Sequence, residues 1–545
     1  MQKLNLSGIQ VLVVDDQRPF QVMLKGILKS LGLVSIQFAS SGEQALSRCG
    51  QTEFDLLFVD YNLGAGKNGR QLLEDLREKQ LLKSSAIFII VTGENTVTMV
   101  MSAVETEPDD YLIKPFSQSL LKTRLLKLQH KKHHLAALYE ALYQRQPDEI
   151  IAECQQEITN HGRYEQYCRR VLAETLLAQD NFTALETLLN ESMQQRRATW
   201  ALLLEARFRL QQQDYQRCLT LCDEVIDLNR LCAQALDIKS NCQLAQGDTE
   251  GAMQSISQAI YIAPFQLSRQ YLLLQVARQA KSPLDMVQAG KQIYELTRRT
   301  IKQDVNHLFN YIRIMLDAIV QLDDKIKSNK LQQETLLVLH RSQKDEQLIK
   351  DVDFERFEQL CMARLDAFEG RYLQAKKVSD KMSDLMNGTD PDLPDLIMLM
   401  INIGEFEGAD HLLTLLDKHK AEDPILSSML AQHQQQSEQP RQQLTELNKT
   451  GMARYKEGKY QEAMQLFEQA LHLAPGNTGA ALNLIQAMLQ VLESQQKNKS
   501  VALYQRCRQT FKTIEQAHLP EHHQERYAQL QQQYQGYRQE LKQNS

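Results

Sequence analysis

Short continuous apolar runs alternate with amphipathic stretches over residues 1–121. Gln10-Val11-Leu12-Val13-Val14, Phe54-Asp55-Leu56-Leu57-Phe58-Val59 and Ala86-Ile87-Phe88-Ile89-Ile90-Val91 are of strand length, and Asp110-Tyr111-Leu112-Ile113 is a shorter fourth run. Runs this apolar predict strands buried on both faces, as in a parallel sheet. Between them, Phe20 to Leu31 and Gly69 to Lys79 space their apolar residues as helices do. Strands alternating with helices predict a doubly wound α/β domain.

The pattern changes after Lys114, beyond which no strand is expected. Phe116 to Gln146 holds neither Gly nor Pro, and leucines recur along it from Leu120 to Leu142. A helix is therefore expected to leave the α/β domain and run into connecting helices over 122–160. Its basic middle, Lys127 to His134, lacks interleaved aromatics and reads as a solvated face rather than a nucleic-acid or membrane contact.

From 161 to 435 apolar residues keep helical spacing, and a turn of the form Gly-x-aromatic-x-x-Ala comes back. Gly370-Arg371-Tyr372-Leu373-Gln374-Ala375 and Gly404-Glu405-Phe406-Glu407-Gly408-Ala409 lie 34 residues apart, as do the turns beginning at Gln213 and Gly247. The clearest unit, 447–477, holds Gly451, Tyr460, Ala463, Phe467, Ala470 and Pro475. Small residues at 451, 463 and 470 would let two helices approach closely, large ones at 460 and 467 would fill between units, and Pro475 would stop the second helix. A 34-residue period of paired helices resembles the tetratricopeptide repeat, and the resemblance implies an all-α superhelical array with a protein-binding groove. The period is degenerate at about 281–350, where only helices are expected, including Val305 to Leu322. His433 to Pro440 is polar and Gln-rich, and reads as a linker or extended loop before a C-terminal repeat module and capping helices at 440–545.

Composition narrows the classes. At 545 residues several domains are expected, and a net charge of −6 does not indicate a nucleic-acid surface. Nine cysteines without paired metal-ligand spacing fit reduced thiols in a cytoplasmic protein, and Cys218 and Cys222 read as apolar packing. Neither a signal peptide nor a membrane-length apolar run is seen, so a soluble protein is expected.

The chemistry-bearing residues stand at the strand ends. Asp15 and Asp16 follow the first strand, Asp60 the second run, Thr92-Gly93 the third and Lys114-Pro115 the last. Strand ends of an open α/β sheet line one crevice, where three carboxylates would favour a divalent cation such as Mg²⁺. One carboxylate could then act as a nucleophile toward phosphorus, with the Thr92 hydroxyl and Lys114 ammonium neutralising phosphoryl oxygens.

Val13-Val14-Asp15-Asp16, Asp60, Thr92-Gly93 and Tyr111-Leu112-Ile113-Lys114-Pro115-Phe116 together resemble the receiver domain of two-component response regulators. The resemblance implies a flavodoxin-like, five-stranded parallel sheet. It implies Asp60 as phosphoacceptor from a sensor histidine kinase or phosphotransfer protein. Asp15, Asp16, Asp60 and the main-chain carbonyl of Asn62 would hold Mg²⁺, and Tyr111 would be the switch aromatic. Receivers of this kind often pair through the face carrying Tyr111, which leaves a homodimer open. One departure is the loop Leu63-Gly64-Ala65-Gly66-Lys67-Asn68-Gly69, with Gly64 where the family usually has Pro and its Gly one place late at Gly69. Its Gly-Ala-Gly-Lys-Asn run lacks the Ser or Thr of a phosphate-binding loop and reads as a turn.

The resulting expectation is a phosphorylation-controlled adaptor that turns over no external product, its helical repeats binding an unidentified protein. A DNA-binding regulator and a phosphate sink for a shared kinase are the alternatives. The first is opposed by the acidic balance and the lack of a basic recognition helix.

Overall fold

The computed structural model describes residues 8–543 apart from 65, 95, 196, 384, 417–422, 495–500 and 516–520. The chain divides into two compact units, Met1–His307 and Leu308–Ser545. Ala65 of the loop read as a turn lies outside the described residues.

The first unit opens with β1 (Gln10–Val14), α1 (Arg18–Ser30), β2 (Ser35–Ala39), α2 (Gly42–Cys49), β3 (Leu56–Asp60), α3 (Gly69–Glu78), β4 (Ile87–Thr92), α4 (Val97–Glu105), β5 (Asp110–Ile113) and α5 (Gln118–His134). The five strands form one sheet in the order β2-β1-β3-β4-β5, and every pairing is parallel. Both faces are covered. Leu12, Val14, Leu57, Val59, Phe88 and Ile90 pack on one side. Val11, Val13, Leu56, Phe58, Ile89 and Val91 pack on the other. Two buried faces remove any need for polar alternation, which is why these strands read as unbroken apolar runs. The register aligns Val14 with Val59, Asp60 with Val91 and Thr92 with Ile113, so the strand ends finish side by side.

Paired helices complete this unit: α6 (Ala136–Tyr143), α7 (Pro147–Thr159), α8 (Glu165–Ala178), α9 (Phe182–Gln195), α10 (Thr199–Gln211), α11 (Tyr215–Leu228), α12 (Ala233–Ala245), α13 (Thr249–Ile262), α14 (Leu267–Gln279) and α15 (Pro283–Thr297). The 34-residue spacing has a local cause. Asp214 and Asp248 each cap the helix that follows, accepting from the backbone N–H of Arg217 at 3.2 Å and of Gly251 at 3.0 Å.

The core changes hands at Leu135. Leu121 and Leu125 of α5 are buried with the sheet, whereas Leu135, Leu138, Ile150 and Cys154 share a core with α8 to α10. The connecting helices expected over 122–160 thus divide between the α/β domain and the helical array. The basic stretch is solvated only in part: Lys127, His133 and His134 are exposed, and the rest is engaged. His130 meets the Tyr164 hydroxyl at 3.0 Å, the Lys131 ammonium lies 3.5 Å from the Tyr167 ring centre, and Lys132 pairs with Asp109 at 3.0 Å. The aromatics it needed, Tyr164 and Tyr167, lie at the start of α8, some 30–40 residues further on in the sequence.

The second unit contains α16 (Val305–Gln321), α17 (Lys325–Ser342), α18 (Glu346–Ile349), α19 (Phe354–Phe368), α20 (Tyr372–Ser383), α21 (Leu393–Ile403), α22 (Phe406–Leu415), α23 (Pro424–Lys456), α24 (Tyr460–Leu473), α25 (Thr478–Ser494), α26 (Val501–Glu515) and α27 (Glu521–Gln543). The degenerate stretch 281–350 is helical, as expected. His433 to Pro440 is not a loop: it lies inside α23, a 33-residue helix. Glutamine is a good helix former, His433 is buried against Asp317 of α16, Ser437 is buried and bonded within its own helix to Gln434 and Arg441, and the carbonyl that Pro440 leaves unpaired belongs to exposed Gln436.

In the repeat at 447–477, Ala463, Phe467 and Ala470 are fully buried, and Tyr460 stands edge-on to Tyr455 at 5.2 Å. Pro475 follows the end of α24. Gly451 needs its missing side chain, because a Cβ there would fall 2.6 Å from Cε1 of Phe467. Gly451→Ala should therefore lower the stability of this unit by about 1–2 kcal/mol, overpacking outweighing the gain in helix propensity. Urea denaturation followed by circular dichroism would measure it. Among the described residues no helix is long and apolar enough to cross a membrane.

Candidate functional site

Parallel register delivers three acidic side chains to one edge of the sheet. Asp15 follows β1, where its N–H donates to the Ala39 carbonyl at 3.0 Å, and its carboxylate accepts from the Gln17 N–H at 2.8 Å. Asp60 ends β3, and its Oδ1 accepts from the Asn62 N–H at 3.2 Å. Asp15 and Asp60 are buried and Asp16 is exposed. One carboxylate oxygen from each lies within 4.8 Å of the others. It is the one such acidic, histidine or cysteine group of metal-holding size among the described residues.

Lys114 is aimed into this cluster. Its N–H donates to the Thr92 carbonyl at 2.7 Å, which fixes the chain just beyond β5, and its peptide bond to Pro115 is cis. The ammonium bridges Asp15 Oδ2 and Asp60 Oδ2, each at 2.7 Å, and sits 3.8 Å from the ring centre of Phe20. Phe20 in turn packs edge-on against Phe116. Burial pushes the Asp60 carboxyl up to about 6, with Lys114 pulling against it and Asp15 adding to it. A buried carboxylate pressed by a like charge is held above its ordinary value until positive charge arrives.

Thr92 is buried at the end of β4, its hydroxyl accepting from the Glu94 N–H at 3.0 Å. Glu94 ties the rim together: its carboxylate accepts from the Asn62 side-chain amide at 2.9 Å and its carbonyl from the Tyr111 hydroxyl at 3.4 Å. Tyr111 is half-buried against the core on one face of the sheet. Asp15, Asp16, Asp60 and Lys114 thus converge, and Asn62, Thr92 and Tyr111 are linked to one another through Glu94, while the repeat residues belong to the second unit. Phe20 and Glu94 were not foreseen. Phe20 looked like one more apolar position of an amphipathic helix, and Glu94 stands in a loop without pattern.

The loop after Asp60 has its own anchorage. Gly69 sits where a Cβ would fall 2.5 Å from the Asp60 carbonyl oxygen, so the chain returns directly onto the strand end. Lys67 pairs with Asp75 at 2.6 Å and also donates to the Arg299 carbonyl, while Asp75 accepts from the Ile301 N–H at 2.9 Å. The extra length of this loop is used in contact with the turn after α15.

All donors of the acidic cluster are hard oxygens, two of them buried, with charge in excess of what one ammonium neutralises. That set fits a hard divalent cation.

Comparison with known proteins agrees with the geometry. Residues 11–126 match the response regulator receiver domain family, and residues 454–491 match a tetratricopeptide repeat family. The chemotaxis protein CheY-3 of Vibrio cholerae is 28% identical over 128 residues, which is 24% of this chain and 97% of that protein. CheY of Pseudomonas aeruginosa is 29% identical over 120 residues, 22% of this chain and 95% of that protein. The transcriptional regulatory protein ZraR of Escherichia coli is 31% identical over 131 residues, but this covers only 29% of ZraR. Among solved structures, Vibrio cholerae CheY4 aligns with 22% of this chain and 98% of its own, at 22% identity and a TM-score of 0.21. The N-terminal domain of this chain is a response regulator receiver domain of two-component phosphorelay signalling, joined to a long helical region that carries a tetratricopeptide repeat.

Proposed function

We propose that the chain is a phosphorylation-controlled signalling adaptor in which Asp60 is the phosphoacceptor and the helical repeats bind a partner protein. The observation that carries this reading is Lys114 bridging two of three clustered carboxylates at the sheet edge. In the transfer, a carboxylate oxygen of Asp60 attacks the phosphorus of a phosphohistidine on a kinase or phosphotransfer protein. The O–P bond forms as the P–N bond breaks, and the departing imidazole takes up a proton. Thr92 and Lys114 would neutralise the phosphoryl oxygens. Asp15, Asp16, Asp60 and the Asn62 carbonyl would hold Mg²⁺, which supplies further neutralisation of those oxygens when bound. The phosphoryl group stays on the chain as a phosphoaspartate until hydrolysis restores the carboxylate and releases phosphate.

Transfer changes the charge beside Thr92 and Glu94, which lead into α4, and beside Tyr111 of β5, whose hydroxyl donates to the Glu94 carbonyl. The contacts of α4 with the array would carry that change toward the repeats.

The test is covalent labelling. Acetyl phosphate with magnesium should leave a hydroxylamine-labile phosphoryl group on the full chain, and Asp60→Asn should bring it to background. Full labelling of the Asp60→Asn chain, or none of the wild type, would overturn the assignment.

A further inference from the structure

The receiver helix α4 is bonded to the repeats near both of its ends. At its C-terminal end Glu105 takes two hydrogen bonds from Arg269 of α14, at 2.7 and 3.1 Å. The same guanidinium makes two more, each 2.7 Å, to Asp237 of α12, and its side chain is 0% exposed. Near the start of α4, the Thr98 hydroxyl donates to the Tyr261 carbonyl of α13 at 3.3 Å. A planar guanidinium with one carboxylate on each side is a recognition geometry, not a screened surface pair.

Two further observations separate this contact from ordinary packing. Alongside α4 a cavity of about 680 Å³ remains open, lined by Met101 and Val104 of α4 and by Trp200, Leu203, Arg207 and Asp237 of the array. That is the size of a ligand site, and it continues the surface on which α4 lies. The second observation is charge. The array brings Arg170, Arg207 and Arg269 to this cavity against Glu174 and Asp237, while the receiver supplies Glu105 and Glu107. Glu107 pairs with Arg170, whereas exposed Arg207 makes no ion pair among the described residues.

We propose that this face of α10, α12 and α14 is a binding site for an amphipathic acidic helix of a partner protein, and that α4 is its resident occupant. The partner segment would present the chemistry of α4 itself: apolar residues in the positions of Met101 and Val104, followed by a carboxylate for Arg269. Receiver and partner then compete for one site, and whatever loosens α4 opens it. The inference rests on the reading of the repeats as the protein-binding part of the chain, and it is independent of chemistry at Asp60. Tethered α4 enjoys a high effective concentration, so the wild type should bind an external copy weakly.

The probe is a fluorescein-labelled peptide with the sequence of residues 97–106, titrated by anisotropy into the full chain without phosphodonor. Glu105→Ala, which weakens the resident occupant, should bind the peptide at least tenfold more tightly than the wild type, with a change in the emission of Trp200. In the Glu105→Ala background, Arg269→Gln should remove binding. Replacing the peptide's glutamate by glutamine should cost at least tenfold. Equal affinity for wild type and Glu105→Ala, no binding to either, or binding indifferent to Arg269 and to the peptide's glutamate would overturn the proposal. Labelling of Asp60 by acetyl phosphate, run in parallel on Glu105→Ala, keeps the two readings apart. Labelling without peptide binding sinks only the peptide site, and peptide binding without labelling sinks only the phosphoacceptor.

Discussion

Arg313→Met is expected to lower the stability of the second unit by about 3–5 kcal/mol, the usual loss when one member of a buried ion pair is removed. Arg313 on α16 and Asp395 on α21 have side chains 1% and 0% exposed. The guanidinium reaches Asp395 at 2.6 Å, the Pro391 carbonyl at 2.7 Å and the Asn310 side chain at 3.0 Å, with Phe309 stacked on Phe357 beside it. Methionine fills the volume and meets none of these oxygens. Asp395 would then keep only Arg364, at 3.4 Å, and Arg364 is already committed to Asp317 at 2.6 Å. Lysine should rescue little, since an ammonium cannot reproduce the fork of Nε and Nη2 on Asp395 together with the bonds to Asn310 and the Pro391 carbonyl. Guanidinium denaturation of the full chain would show the later or earlier of two transitions moving, according to which belongs to this unit. A loss under about 1 kcal/mol would mean that the network is not what holds α16 to α21.

The same network sets a pH dependence. Burial would raise the Asp317 carboxyl, but His433 and Arg364 outweigh it and hold it below its ordinary value. A depressed carboxyl contributes stability that is complete above its unfolded value and is lost as pH falls through the folded one. The second unit should therefore weaken on acidification below about pH 4, and Asp317→Asn should flatten that part of the profile.

His433 also shows where sequence reading stops. Its neighbours, Gln434-Gln435-Gln436, look like a linker because their polarity is local and visible. Its partner Asp317 is on another helix, 3.0 Å away in space and 116 positions away in sequence. The same limit hid the half-buried role of Lys131, whose ring partner Tyr167 is on α8. The receiver was far more legible. Strands with both faces buried have no polar alternation to blur them, and strand ends fix the position of whatever follows, so Asp15, Asp60, Thr92 and Lys114 could be placed together from spacing alone. The exception proves the physical point: β2, Ser-Ile-Gln-Phe-Ala at the sheet edge, is only partly buried along most of its length and escaped notice, being known only through the resemblance. Loop contacts such as those of Glu94, and the clasp of Glu105 by Arg269, have no periodic signal at all.

Lys114→Met should make the stability of the first unit depend on divalent cations. The wild-type ammonium is the one positive charge bonded to both Asp15 and Asp60. Its removal leaves two buried carboxylates facing each other with Asp16 within 4.8 Å, a loss of about 3 kcal/mol or more. A cation that binds only the folded state adds stability in proportion to the logarithm of its concentration over its dissociation constant, about 2.7 kcal/mol at a hundredfold excess. Without the ammonium as competitor, the three carboxylates should hold magnesium more tightly than in the wild type. Thermal unfolding should accordingly show a large deficit for Lys114→Met in chelator, mostly recovered in millimolar magnesium, against a smaller magnesium effect on the wild type. Phosphoryl labelling should stay low in both conditions, because the cation replaces the lysine's charge among the carboxylates but not its place beside the incoming phosphoryl oxygens. Equal magnesium effects on the two proteins would mean that these carboxylates do not form a cation site. Full labelling of Lys114→Met would mean that the lysine holds the pocket together without taking part in the transfer.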